Sequence, residues 1–89
     1  MIKRNKLEII RDVLKTIQEN RNAIKVTPLI RKSNLSSLRF AEYFNELSSK
    51  GFVVDRIVKS GKVISLTEKG YKYLEKYLNI VGFIEEFDL

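Results

Sequence analysis

Between Arg31 and Arg39 the chain gathers six side chains that donate hydrogen bonds to anionic oxygen: Arg31, Lys32, Ser33, Ser36, Ser37 and Arg39. A second set follows at Arg56, Lys59, Ser60, Gly61 and Lys62. Phosphate oxygens accept from such guanidinium, ammonium and hydroxyl groups. A guanidinium can also bond guanine O6 and N7 together, which discriminates against a wrong base by about 1–3 kcal/mol. The chemistry on offer is recognition of a polyanion, with Arg39 the expected base contact. Bond-making chemistry is poorly provided for. The chain has no Cys and no His, hence no disulfide, thiolate nucleophile, imidazole base or Cys/His zinc site. Asp55 has no evident acid–base partner, so no catalytic role, cofactor or metal is expected.

Each of these residues also has a reading without a ligand. Arg39 can pair with Glu42 or Glu46 on its own helix, and lysines at a turn are often simply solvated. Lys3, Arg4 and Lys6 fit either a phosphate-binding arm or a soluble end. The distribution of charge favours a polyanion. Of a net +6, residues 1–62 hold fourteen Lys/Arg against six Asp/Glu, and residues 63–89 hold three against five. The basic part calls for an acidic partner; the remainder does not.

The elements that must position these groups are legible in the apolar spacing. At 89 residues, 44% of them apolar, the chain suits one domain spanning 1–89. No apolar run approaches the roughly 18–20 residues that span a bilayer, and no signal-peptide pattern opens the chain, so a cytoplasmic protein without a membrane role is expected. Leu7, Ile10, Val13, Leu14 and Ile17 draw one stripe on a first helix over Lys3–Asn20. Residues 23–26 alternate as a short strand. Thr27 as N-cap with Pro28 at the first helical position begins a second helix, about Pro28–Lys32. Ser36 caps a third, which ends at Gly51. Two helices this close, with Leu35 tucked between them, have the spacing of a helix-turn-helix.

On the third helix Phe40, Phe44 and Leu47 face inward with Tyr43 beside them, and Ser37, Leu38, Arg39, Ala41, Glu42 and Asn45 form the opposite face. Beyond Gly51 the period changes to that of a hairpin over 52–66. Ser60-Gly61 is expected as its two-residue loop, setting Ile57 opposite Ile64 and Val58 opposite Val63. Thr67 caps a fourth helix over 68–89. There Tyr73, Tyr77, Ile80, Ile84 and Phe87 form a heptad-like seam, with Leu74, Leu78 and Val81 alongside. Gly82 is placed to kink or stop that helix. A seam of five large apolar groups exposed on a monomer is an aggregation liability, so it is expected as the interface of a homodimer, with packing inside the monomer or a bound partner as the other readings.

The expected fold is mainly α with a small β-hairpin, a winged helix-turn-helix in the order helix, short strand, helix, helix, hairpin wing, C-terminal helix. The whole chain resembles the archaeal winged-helix transcription regulators. The resemblance is carried by Leu-Glu-Ile-Ile-Arg-Asp-Val-Leu at Leu7–Leu14, the turn at Thr27–Ser36, Leu-Ser-Ser-Lys-Gly-Phe-Val at Leu47–Val53 and Leu-Thr-Glu-Lys-Gly at Leu66–Gly70. It is similar also to the DNA-binding half of small archaeal chromatin-associated proteins that dimerise through a C-terminal coiled coil. The present tail is short for that coil and carries Gly82. The resemblance implies double-stranded DNA as partner, with helix 36–50 in the major groove, wing 52–66 on the minor groove or phosphates, and a place on the nucleoid. Two other readings of the same fold are a protein–protein interaction module and a non-specific architectural chromatin protein.

Overall fold

A computed structural model describes residues 4–89. Asn5 opens α1 (Lys6–Glu19) with a capping box: its side chain accepts from the Glu8 amide at 2.8 Å, and the Glu8 carboxylate accepts from the Asn5 amide at 3.3 Å. Such a cap contributes about 1 kcal/mol and fixes where the helix begins. The expected start at Lys3 lies outside the described residues. Ile10, Val13, Leu14 and Ile17, with Ile9, form the buried stripe of α1. Past Asn20 the chain reverses through Arg21 and Asn22, both in the left-handed region (φ 61° and 56°).

Asn22 then ties the reversal to the wing. Its side chain accepts from the Leu66 amide at 2.6 Å, and its carbonyl accepts from the Ser65 hydroxyl at 2.6 Å. The expected strand at 23–26 is a single bridge, Ile24 to Ile64, with both of its hydrogen bonds made. This bridge also corrects the start of the second helix. Lys25, held extended beside it (φ −76°, ψ 157°), is the N-cap, and α2 (Val26–Ser33) begins before Thr27 and Pro28. Pro28 is tolerated at the third helical position because the first-turn amides have no partner inside the helix.

Asn34, in the left-handed region (φ 57°), ends α2. Leu35 packs half-buried against the core, as expected, and α3 (Ser37–Ser49) follows. The Ser36 hydroxyl accepts from the Arg39 amide at 3.2 Å. At its other end α3 closes with both bonds of a Schellman motif, Phe52 N–H to Leu47 O and Gly51 N–H to Ser48 O. Gly51 takes the positive φ of 78° that this motif requires.

The wing pairs β1 (Val53–Val58) with β2 (Gly61–Leu66) antiparallel, Val58 opposite Gly61 and Val53 opposite Leu66. The turn is therefore Lys59-Ser60 rather than Ser60-Gly61, and Ile57 faces Lys62, not Ile64. Gly61 decides this. It is the one residue of the connection with positive φ (118°), so it follows the turn instead of forming its second corner. The parity of the pairing survives, and Val53, Ile64 and Leu66 reach the core. Thr67 caps α4 (Glu68–Glu86) by accepting from the Gly70 amide at 3.2 Å. A Cβ at residue 70 would run into the Phe52 carbonyl oxygen, so the Lys69-Gly70 pair lets α4 lie directly on the root of the wing. The helix continues through Gly82 to Glu86; the glycine does not stop it.

Leu14, Ile17, Leu29, Leu47 and Ile64 are fully buried where the helices meet β2. The core thus locks α2, α3 and the wing into one frame.

Candidate nucleic-acid interface

Because Phe40, Phe44 and Leu47 turn α3 inward, the residues half a turn away point to solvent. Leu38, Glu42, Asn45 and Ser49 form that outward ridge, flanked by Ser37, Arg39 and Ala41, and all are exposed. Arg39 makes no ion pair with Glu42 or Glu46. Its guanidinium donates to the Tyr43 hydroxyl at 3.3 Å and lies 5.8 Å from the centre of that ring. Tyr43 is half-buried against the core, which leaves its hydroxyl rim to steer Arg39.

Glu46 is engaged elsewhere: its Oε1 accepts from Lys6 and from Lys50, each at 2.8 Å. These two bonds, that from Lys50 the stronger, hold its carboxyl at about 2 against an ordinary 4.5. The Lys6 ammonium is raised in return. Arg4 is also committed within the fold. It pairs with Asp12 at 2.8 Å and donates to the carbonyls of Ser33 and Asn34, each at 3.1 Å, closing the C-terminal end of α2. Of the candidate N-terminal arm, Arg4 and Lys6 thus fasten α1 to the helix-turn-helix, and Lys3 lies outside the described residues.

In the last turn of α2, Arg31 is exposed and Lys32 donates to the Asn20 side chain at 3.1 Å. Ser33 departs from expectation. It is only 1% exposed and its hydroxyl has no partner among the described residues, so it is a packed residue at the end of α2 and cannot touch phosphate. Ser36 and Ser37 are exposed, with the Ser36 hydroxyl oxygen occupied by its capping bond and its hydrogen available.

On the wing, Lys59 and Ser60 form the exposed tip and Gly61 is half-exposed. Arg56 folds back, donating to Ser65 Oγ at 2.7 Å and to the Asn22 carbonyl at 3.4 Å, so its guanidinium braces the wing's root. Asp55 does have a partner: with the observed register it lies diagonal to Lys62, and their charged groups are 3.1 Å apart. Ile57, 81% exposed, shares that face.

The five-residue seam of α4 is not one surface. Tyr73 packs edge-on to Phe52 and donates to the Leu7 carbonyl at 3.3 Å; burial, with the neighbouring Tyr77, pushes its phenol up. Tyr77 sits under the Arg11 guanidinium at 5.2 Å. Both are half-buried in their own domain, while Ile80, Ile84 and Phe87 are exposed together with Phe83. Leu38, on the outward face of α3, has no role that its residue type alone announces. The available signal was an apolar residue out of phase with the inward stripe of Phe40, Phe44 and Leu47.

Three helices, a turn fastened between the second and third, a two-stranded wing and a closing helix define a winged helix-turn-helix. The winged helix-turn-helix family model matches residues 3–84, and the chain belongs to that family. Its fold is similar to that of Sso10a-2, a DNA-binding protein from Sulfolobus solfataricus, with a TM-score of 0.76 and 19% identity over 94% of this chain and 85% of that one. It is similar also to F93 from STIV, a winged-helix DNA-binding protein, with a TM-score of 0.72 and 20% identity over 89% of this chain and 91% of that one. F-93 of SSV1 gives a TM-score of 0.64 and 21% identity over 88% and 91% of the two chains. No curated protein matches the chain. Among the described residues no helix is long and apolar enough to cross a membrane.

Proposed function

We propose that this chain binds double-stranded DNA sequence-specifically and acts as a transcriptional regulator on the nucleoid. The N-terminal half of α3 enters the major groove, and the wing tip lies on the minor groove or flanking phosphates. Arg31, Lys32, Ser36, Ser37 and Arg39 contact DNA from the turn and α3, and Lys59, Ser60, Gly61 and Lys62 from the wing. One observation carries the reading: the side of α3 opposite the core is exposed along its first two turns, and the segments before and after it present the cations Arg31, Lys59 and Lys62. Helix-turn-helix docking uses this part of the helix for base edges. The structural neighbours described as DNA-binding support the same reading.

The exposed end of α4, with Ile80, Phe83, Ile84 and Phe87, joins two copies. Burying each such side chain contributes about 1.5–3 kcal/mol, and a dimer can set two reading helices on successive turns of a duplex, about 34 Å apart. Selection of duplexes from a random pool, followed by affinity measurement across salt, tests the proposal. A regulator prefers its site by about 10³ or more over bulk DNA, and an architectural protein shows little preference. Arg39→Ala is expected to erode that preference while leaving affinity for bulk DNA nearly unchanged; equal loss on every sequence refutes a base contact.

Glu42 at the centre of the α3 ridge favours a second reading, a protein-docking module. That reading requires no duplex to bind even at low salt.

A further inference from the structure

The centre of the outward α3 ridge is Leu38, Glu42 and Asn45, with no cation among them. Such a ridge gains nothing from generic attraction to phosphate, and Glu42 is repelled by it. Pressed against a groove, it contributes only through what base edges offer. Leu38 is the informative member. It is 73% exposed, it does not cap the helix, and it lies out of phase with the core stripe. Nor does it extend a patch of large apolar side chains along its ridge, since Glu42 and Asn45 are polar and the other large exposed apolar side chains lie on other elements, α4 and the wing among them. A second protein surface would find one large apolar side chain here, with only Ala41 beside it among polar neighbours. The major groove offers one apolar feature of matching size, the C5 methyl of thymine. Ala41, three residues on, is exposed and too small to hold the helix away from the bases.

We propose that Leu38 reads a thymine through that methyl group, a specificity contact that rests on the DNA-binding reading above and names one base it selects. The partner is a T·A pair under the first turn of α3. Replacing the thymine by uracil removes the methyl and changes no hydrogen-bonding group.

The test uses the full chain and its selected duplex, with each thymine exchanged singly for deoxyuridine and affinity measured by fluorescence anisotropy. At one position the exchange weakens the wild-type protein about fourfold, the value of one buried methyl group. Leu38→Ala binds the thymine duplex more weakly and loses sensitivity to uracil at that position, and Leu38→Met retains it. Thermal melts of the variants match wild type, because Leu38 is not part of the core. The inference is overturned if no thymine position is sensitive, or if Leu38→Ala keeps the same sensitivity. If no duplex binds in a salt-dependent way, the DNA-binding reading fails and this inference with it. Salt-dependent, site-selective binding without thymine sensitivity defeats the inference alone.

Discussion

Asp55 places a negative charge on the element proposed to meet phosphate, and replacing it should strengthen binding. Its Oδ2 lies 3.1 Å from Lys62 Nζ, with the two side chains 43% and 59% exposed. An exposed pair of this kind contributes about 0–1 kcal/mol to stability, so Asp55→Asn should leave the melting temperature nearly unchanged. Its effect on binding is of similar size and is read directly as affinity. A carboxylate about 6 Å from a phosphate costs roughly 0.7 kcal/mol in water, or about threefold in affinity at low salt. Screening near 0.15 M ionic strength, where the Debye length is about 8 Å, reduces this to under about twofold. Freed of its partner, Lys62 makes a fuller phosphate contact, and the slope of log affinity against log salt steepens by up to about 0.9. Lys62→Ala does the reverse, flattening the slope on every sequence alike, by less than about 0.9 in wild type, where Asp55 takes part of its charge. Its loss should be greater in the Asp55→Asn background, where Lys62 no longer divides its charge. Anisotropy titrations of wild type, both single variants and the double variant, from roughly 50 to 200 mM salt, measure all four slopes. Asp55→Asn binding no tighter than wild type, with Lys62→Ala leaving the slope unmoved, would refute placement of the wing within a Debye length of the backbone.

Two further outcomes test the assembly and the fastening of α3. Ile84→Glu puts a charge into the exposed end of α4, and light scattering should report the mass of one copy where wild type gives two; a wild-type monomer or an unchanged dimer sinks the α4 interface. Glu46 titrates at about 2 in the fold, below the ordinary 4.5, so the unfolded chain takes up the proton first as pH falls. The stability it contributes is complete above about pH 4.5 and is lost toward pH 2, hence Glu46→Gln should lower the melting temperature at neutral pH and flatten its acid decline across that window. A decline as steep as in wild type would mean that Lys6 and Lys50 do not hold this carboxylate in solution.

The elements were legible where local chemistry acts alone. Ser36 and Thr67 are the caps their types suggest, Gly51 ends α3 because a left-handed residue must follow Lys50, and the stripe from Ile10 to Ile17 is buried as its spacing requires. The misreadings arise where a distant contact overrides a local preference. Thr27-Pro28 reads as a cap and first position, yet the Ile24–Ile64 bridge sets the boundary two residues earlier. Ser60-Gly61 reads as a loop, yet the glycine's positive φ lies after the turn. Within the candidate site, residue type foretold chemistry but not orientation. Ser33 is a donor by type and packed by position, and Arg56 is a cation whose guanidinium the Asn22 carbonyl and Ser65 draw back to the root of the wing. Tyr73 and Tyr77 share the period of Ile84, but only the first turns of α4 lie over the domain, so one periodic seam divides into an inner half and an outer half.

The same placement separates affinity from discrimination. Counted from the sequence, the basic stretch suggests one broad polyanion surface. In the fold, Arg4, Lys6, Arg11, Lys50 and Lys62 are each paired with a carboxylate, and Arg56 is bonded to the backbone. Arg31, Arg39 and Lys59, like Lys15, Arg21, Lys25 and Lys32, form no ion pair with another described residue. Arg31 at the end of α2 and Lys59 at the wing tip lie at either side of α3 in the chain, while the centre of its ridge is uncharged or acidic. On the DNA-binding reading proposed above, a helix of that composition would be attracted to no duplex in general, so non-specific binding would come from cations outside it, and Glu42 would set a penalty that only a matching base sequence offsets. On that reading, the ridge with Glu42 that looks like a weakness in a DNA reader would keep the protein from settling anywhere on the backbone, because the flanking cations alone would hold it too loosely.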